Sequence, residues 1–275
     1  MNRLYRYSTG WVLESEGTLF EISLSEVRSL FSGSISVKNF LNIERRKCQA
    51  PSTPPFAPVL FQEIWASGLT YKRSVEAWSA ESANSGSIYD AVYSSKRVQT
   101  FFKGMGYSVT GADSYIGIRG DSMQTHPEAE LAVICNASGQ VIGYTLGNDV
   151  SARDIEMDNP LFQPQSKVFD CSIALGPALV LAEPGVSPLN WRINLAIHRE
   201  DRALFEGGFP VNQLSRSINE IVDAHFAYRS LKDGIVILTG TALAIPTSAM
   251  LKEGDIVTIW CDEVGRLMSK AKRLG

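Results

Sequence analysis

The sequence predicts an α+β fold that is mostly β, and three observations carry that expectation. Short apolar runs recur along the chain, several alternating with period two between clusters of Gly, Pro, Asn or Asp. Helical spacing is confined to a few stretches. A proline-rich segment, with Pro51, Pro54, Pro55 and Pro58, divides the chain unevenly. The apolar runs at 131–135, 141–146, 178–181, 191–197 and 256–260 read as strands. Helices are expected over 24–31, 72–82 and 211–226. In the last, Leu214, Ile218, Ile221, Val222 and His225 recur at helical spacing, so His225 reads as a core or capping residue rather than a catalytic one. The prolines cannot sit in a central strand or a helix interior and read as a stiff connector. We therefore expect a small β-rich N-terminal domain plus linker over 1–57, with a hairpin from 11–13 and 18–22, and a larger, mostly β domain with flanking helices over 58–275.

Charge and cysteine usage narrow the function classes. The chain has 26 basic and 29 acidic side chains, a formal net charge of −3, which gives no reason to expect a nucleic-acid or anionic-membrane partner. The basic run Lys270-Ala271-Lys272-Arg273 reads as a solvated tail. Cys48, Cys135, Cys171 and Cys261 are scattered, with neither the paired spacing of a zinc site nor a disulfide framework. The first ten residues contain no apolar signal core, and no apolar run approaches the roughly 18 residues that span a bilayer. A soluble, cytoplasmic protein is expected, in which the sequon-like Asn136-Ala137-Ser138 is simply a turn.

The stretch from Pro127 to Asp154 carries the chemistry. Glu128 and Glu130 lead into an apolar run, and on a strand residues two apart share a face. The run 136–139, Asn-Ala-Ser-Gly, is a turn signal between two strands. Pairing Asn136 with Gln140 across it sets Asn148 opposite Glu128, so Asp149 returns to within one residue of that position. Three clustered carboxylates must protonate, lie in water or bind a cation. Spacing alone leaves two readings open: solvated charges at the strand ends, or a site of oxygen ligands for a hard ion, Mg²⁺ first, with Mn²⁺ and Ca²⁺ as alternatives.

These residues also carry a resemblance. The run 143–154, Gly-Tyr-Thr-Leu-Gly-Asn-Asp-Val-Ser-Ala-Arg-Asp, resembles a signature of the fumarylacetoacetate hydrolase superfamily. Pro127-Glu128-Ala129-Glu130 resembles that family's metal-binding strand. Ser166-Lys167 with Leu175-Gly176-Pro177, Thr239-Gly240-Thr241, and the run from Trp65 to Tyr71 resemble further family motifs in the same order. The resemblance implies a mixed β-sandwich roll, a homodimer or homotetramer, a divalent cation on Glu128, Glu130 and Asp149, and a pocket lined by Lys167 and Thr241. Hydrolytic members carry a His–Glu pair that activates water. Here Ser74 and Ala77 stand at those positions, so the pair is missing. His126, beside the metal strand, either reaches the pocket or is a loop residue.

The runs at 63–71, 88–92, 101–103, 119–122 and 159–167 resemble the family's 2-keto-3-deoxy-D-arabinonate (pentonate) dehydratase branch, although Gln99 stands where a carboxylate is expected there. That branch implies a lyase that dehydrates a 2-keto-3-deoxy sugar acid through an enolate stabilised by the cation. The alternative is a hydrolase of acylpyruvates or 2,4-diketo acids that cuts a C–C bond. Lys167 is the first candidate for base or proton donor, and the other reading makes it a fixed cation that pairs with the substrate carboxylate. Glu76 is a second acid/base candidate. Thr241, and more weakly Lys103 and Arg119, are expected to contact substrate. Arg153 and Asp154 are expected to brace the site from behind the ligands.

Overall fold

The structure is a computed structural model and describes residues 1–72 and 86–275. The expected helix over 72–82, with Glu76, Ser74 and Ala77, lies outside the described residues apart from Lys72.

Two sheets form the frame. The larger has nine strands, ordered β3-β2-β1-β11-β9-β8-β14-β4-β5. These are β1 (Arg3–Tyr7), β2 (Gly10–Ser15), β3 (Thr18–Ile22), β4 (Glu63–Ala66), β5 (Phe101–Met105), β8 (Ala129–Cys135), β9 (Val141–Asp149), β11 (Ile173–Leu181) and β14 (Ile235–Leu238). The smaller is ordered β13-β12-β15-β16-β6, from β6 (Ser114–Ile118), β12 (Arg192–Arg199), β13 (Arg202–Pro210), β15 (Ile256–Cys261) and β16 (Gly265–Arg273). Pairing is antiparallel except for β14 with β4 and β16 with β6. A two-stranded piece joins β7 (Thr125–His126) to β10 (Ser151–Ala152).

Period-two alternation decides what each strand buries. Leu131, Val133 and Cys135 on β8 face a core shared with Leu195 and Ile197 of β12 and Val257 and Ile259 of β15. The intervening Ala132 and Ile134 face a second core. That core is closed by α1 (Leu24–Ser32) and α2 (Val37–Leu41) through Val27, Leu30, Phe31 and Phe40, while α3 (Gly86–Ser94) lies between β4 and β5 in the chain. β8 is thus buried on both faces, which explains its continuous apolar run. The expected hairpin is present, with Trp11 opposite Ile22. The α1 helix starts at Ser23, whose hydroxyl accepts from the Glu26 amide while the Glu26 carboxylate accepts from the Ser23 amide. It stops at Gly33, whose φ of 78° suits a residue without a Cβ. β1 to β3 continue the same sheet as the later strands, because β1 pairs with β11.

Two local expectations are corrected. The 211–226 stretch is not one helix. Val211–Gln213 is a 3-10 turn, Leu214 bridges to Tyr71, and α6 covers only Ile218–Phe226. The cause is a second capping box, Ser217 with Glu220, which fixes the helix start after the apolar period has already begun. The β8–β9 register is also one residue off the simple hairpin. Cys135 pairs with Val141 but Ile134 pairs with Gly143, so Ile142 is a bulge. Beyond it Glu130 pairs with Gly147, and the Asp149 amide donates to the Glu128 carbonyl at 3.0 Å.

Candidate active site

The bulge brings Asp149 directly opposite Glu128, on the face that Glu128 and Glu130 share. One carboxylate oxygen from each lies within 4.8 Å of the others. They sit in a half-open cleft, also lined by Ser67, Gln99, Phe101, Glu156, Gln163, Lys167 and Thr241. The fold places Lys167 at the end of the short helix α5 (Gln163–Lys167). Its ammonium donates to Glu128 Oε1 at 2.9 Å, to Asp149 Oδ2 at 3.1 Å and to the Ser151 hydroxyl. The Ser151 hydroxyl in turn lies 2.9 Å from Glu128 Oε1.

His126 does reach the cluster. The β7–β10 pairing sets it opposite Ser151, and its Nε2 lies 3.2 Å from Glu128 Oε1. Burial lowers its pKa against the pull of Glu128, which favours neutral imidazole. The loop after β14 contributes Gly240, whose amide donates to Glu130 Oε2 at 2.5 Å. Gly240 has φ +90°, and a Cβ there would come within 2.2 Å of Thr70 Oγ1, so glycine alone suits this approach. Thr241 follows it into the cleft.

Two expected substrate contacts lie elsewhere. Lys103 is fully buried on β5, outside the cleft lining. Its ammonium is 2.6 Å from Asp149 Oδ1 and donates to the carbonyls of Val150 (2.9 Å) and Lys167, so it ties the Asp149 carboxylate to the backbone behind it. Arg119 is outside the cleft as well. Its guanidinium is forked onto Asp121 at 2.8 and 2.7 Å and donates to the Gln165 carbonyl. Asp154 accepts from the Ser122 hydroxyl and the Met123 amide, both at 2.7 Å, and so ties the Ser122 loop to the helix α4 (Arg153–Asp158). Arg153 is buried, with its amide on the Gln124 carbonyl.

Electrostatics separate the carboxylates. Burial pushes Glu128 up, but Lys167 and His126 outweigh it and hold the group well below the ordinary range. Burial, reinforced by Asp149 and Glu128, raises Glu130 well above it. Lys167 is held above its ordinary value because Asp149, Glu128 and Glu156 outweigh desolvation. For Lys103 desolvation wins and the pKa falls. The cluster thus has three carboxylates and two ammonium groups, and the excess charge falls on Glu130. A divalent ion fits that donor set: oxygen-only ligands converge within bonding reach, and the group left protonated without an ion is the one facing two other carboxylates.

Sequence reasoning missed Glu156. It projects from α4 into the cleft and is 7% exposed, and its Oε2 has no hydrogen-bond partner among the described residues. Burial pushes its pKa up to about 7, against Lys167. It lies two positions past the motif that ends at Asp154, and only its place on the inward face of a six-residue helix distinguishes it from the solvated acids around it.

The family model for the C-terminal domain of fumarylacetoacetate hydrolase matches residues 63–271. The chain belongs to this family. A 2-dehydro-3-deoxy-D-arabinonate dehydratase of Saccharolobus solfataricus is 37% identical over 224 residues, 80% of this chain and 74% of that protein. A solved 2-keto-3-deoxyarabinonate dehydratase superposes with a TM-score of 0.87 at 29% identity, covering 100% of this chain and 99% of the other. A 2-keto-3-deoxy-D-arabinonate dehydratase complexed with magnesium and 2,5-dioxopentanoate superposes with a TM-score of 0.83 at 29% identity, over 99% and 98% of the two chains. The expected mixed, mostly β family fold is therefore present, and the family's carboxylate motif forms one cluster here.

Proposed function

We propose that this protein is a divalent-metal-dependent hydro-lyase that removes water from a 2-keto-3-deoxy sugar acid. The observation that carries the reading is the Glu128–Glu130–Asp149 cluster at a cleft whose whole fold matches a dehydratase complexed with magnesium. Glu128, Glu130 and Asp149 would hold the ion, with Mg²⁺ preferred. When bound, such an ion supplies chelation of a 2-oxo acid and acidifies the C3 proton. The remaining work falls to side chains. The Thr241 hydroxyl is assigned to the substrate carboxylate, and Phe101 walls the cleft under Lys167, whose ammonium lies 5.6 Å from the ring centroid. Lys167 already donates to three acceptors, which supports the role of cation and proton donor over that of base. It is assigned to give a proton to the C4 hydroxyl as that group leaves. Hydrolytic C–C cleavage would need another route to activated water, since Ser74 and Ala77 replace the pair that performs it. A cytoplasmic homo-oligomer is part of the same reading. Among the described residues no helix is long and apolar enough to cross a membrane.

Product analysis by NMR tests the reading, with 2-keto-3-deoxypentonate and, separately, acetylpyruvate, each with Mg²⁺ and with EDTA. The expected result is Mg²⁺-dependent loss of water from the sugar acid, with acetylpyruvate untouched. Release of pyruvate and acetate from acetylpyruvate would overturn it.

A further inference from the structure

The described ionisable side chains of the cleft are Glu128, Glu130, Asp149, Lys167 and Glu156. The first three form the cation cluster, and Lys167 bridges two of them. Glu156 is left over: it lines the cleft, and its Oε2 is buried with no hydrogen-bond partner among the described residues. An unpaired buried carboxyl oxygen is costly, and its retention in a cleft calls for a ligand atom or proton to meet it. Elimination also needs something the cluster lacks. Lys167 has hydrogens to give and no lone pair to accept one, and a group that removes a carbon-bound proton must reach the substrate itself.

We infer that Glu156 is the general base that takes the C3 proton of the bound 2-oxo acid. This rests on the 2-oxo acid reading above and deepens it. The C3–H bond breaks, its proton goes to the Glu156 carboxylate, and its electron pair forms the C2–C3 enolate. Those electrons then form the C3=C4 bond as the C4–O bond breaks, and the Lys167 ammonium protonates the leaving hydroxyl to water. The proton on Glu156 then returns to Lys167 through solvent, which restores both groups. The charged groups that set the titration of Glu156 are Lys167 on α5, Glu128 and Asp149 at the ends of β8 and β9, and Arg153 on its own helix. His126 on the adjoining β7 is held neutral by burial, and Asp154 is turned toward Ser122. With burial dominant, Glu156 ionises at about 7, a useful range for a base at neutral pH.

The experiment separates this role from the dehydratase reading by using 2-oxobutyrate, which has C3 protons and no hydroxyl to lose. Mg²⁺-dependent exchange of those protons for deuterium is followed by NMR in wild type, Glu156→Gln and Glu156→Asp. Wild type should exchange, with a rate that falls toward low pH as Glu156 takes up a proton. Glu156→Gln should lose about 100-fold and the pH limb, while Mg²⁺ affinity and 2-oxobutyrate binding stay within about threefold. Glu156→Asp should recover part of the rate and keep a limb, which guards against a folding defect in the amide variant. On the metal-free protein, the infrared difference between wild type and Glu156→Gln should show a carboxyl that ionises in the neutral range. Full exchange in Glu156→Gln, no exchange in wild type, or a carboxyl already ionised at pH 5 would each overturn the assignment. Exchange that depends on Glu156 in a protein that leaves 2-keto-3-deoxypentonate intact would instead overturn the dehydratase reading and leave Glu156 in its role.

Discussion

Single side chains in this protein differ in role according to what surrounds them, and residue type alone is a poor guide. Lys103 and Lys167 both bind Asp149, yet one is sealed behind the cluster and the other lines the cleft. His225 makes a similar point with a measurable consequence. It is 1% exposed, its Nε2 lies 2.9 Å from the Ser67 hydroxyl, and burial lowers its pKa from 6.5 to about 3. Below pH 6.5 the unfolded chain takes up a proton at this position and the folded chain does not. Stability should therefore fall as pH drops from 6.5 toward 3, with this residue contributing a slope of up to about 1.4 kcal/mol per pH unit. Guanidinium unfolding of wild type and His225→Gln at pH 7 and pH 5 measures it. The wild type should lose more stability between the two pH values than the variant does, and equal losses would show that His225 takes up a proton as readily in the folded chain as in the unfolded one. That His225 belongs to the core was legible from helical spacing. Glu156 was not, because the sequence gives no sign of which acid on a short helix points inward.

At the scale of elements, what was legible is the period and what was hidden is the punctuation. The alternation of β8 and β9 predicts a hairpin that returns Asp149 to Glu128, and the structure has it. The bulge at Ile142 sits beside Gly143, and a glycine inside a strand pattern is a bulge signal that the simple hairpin register overlooked, yet it is what sets Asp149 opposite Glu128. α6 shows the reverse. Its start was written in the sequence as Ser217-Ile218-Asn219-Glu220, but the apolar period running back to Leu214 concealed it. The Ser217 hydroxyl lies 3.2 Å from the Glu220 amide, and the Glu220 carboxylate accepts from the Ser217 amide at 2.8 Å. Ser217→Ala should lower stability by ~1 kcal/mol, read as the denaturation midpoint at constant m-value, with Ser217→Asp restoring most of it. An unchanged midpoint in the alanine variant would mean that packing of Ile221, Val222 and His225 alone sets this helix.

For the whole molecule, the arrangement of strands decides how much of the chain the cleft needs. The proline-rich segment invites a cut at residue 57, and the catalytic motifs all lie beyond it. The nine-stranded sheet crosses that boundary, however, since β1 pairs with β11, and β11 pairs with β9, the strand that ends in Asp149. Removing 1–57 would leave β11 as an edge with an apolar sequence, Ile173 to Leu181, and free backbone donors and acceptors. It would also uncover Ile134, Ile142, Leu179 and Val236, which now pack with Leu4, Val27, Leu30, Phe31 and Phe40. Each such side chain returned to water costs ~1.5–3 kcal/mol, about 6–12 kcal/mol for the four, which is comparable to the roughly 5–15 kcal/mol that separates a folded domain from its unfolded chain. We therefore expect 58–275 expressed alone to aggregate or elute as large species in size-exclusion chromatography, and to bind Mg²⁺ at least tenfold more weakly than the full chain by calorimetry. A monodisperse 58–275 fragment with the full chain's Mg²⁺ affinity would show instead that β1 to β3 are an appendage, and that the β8–β9 hairpin holds its carboxylates in place without them.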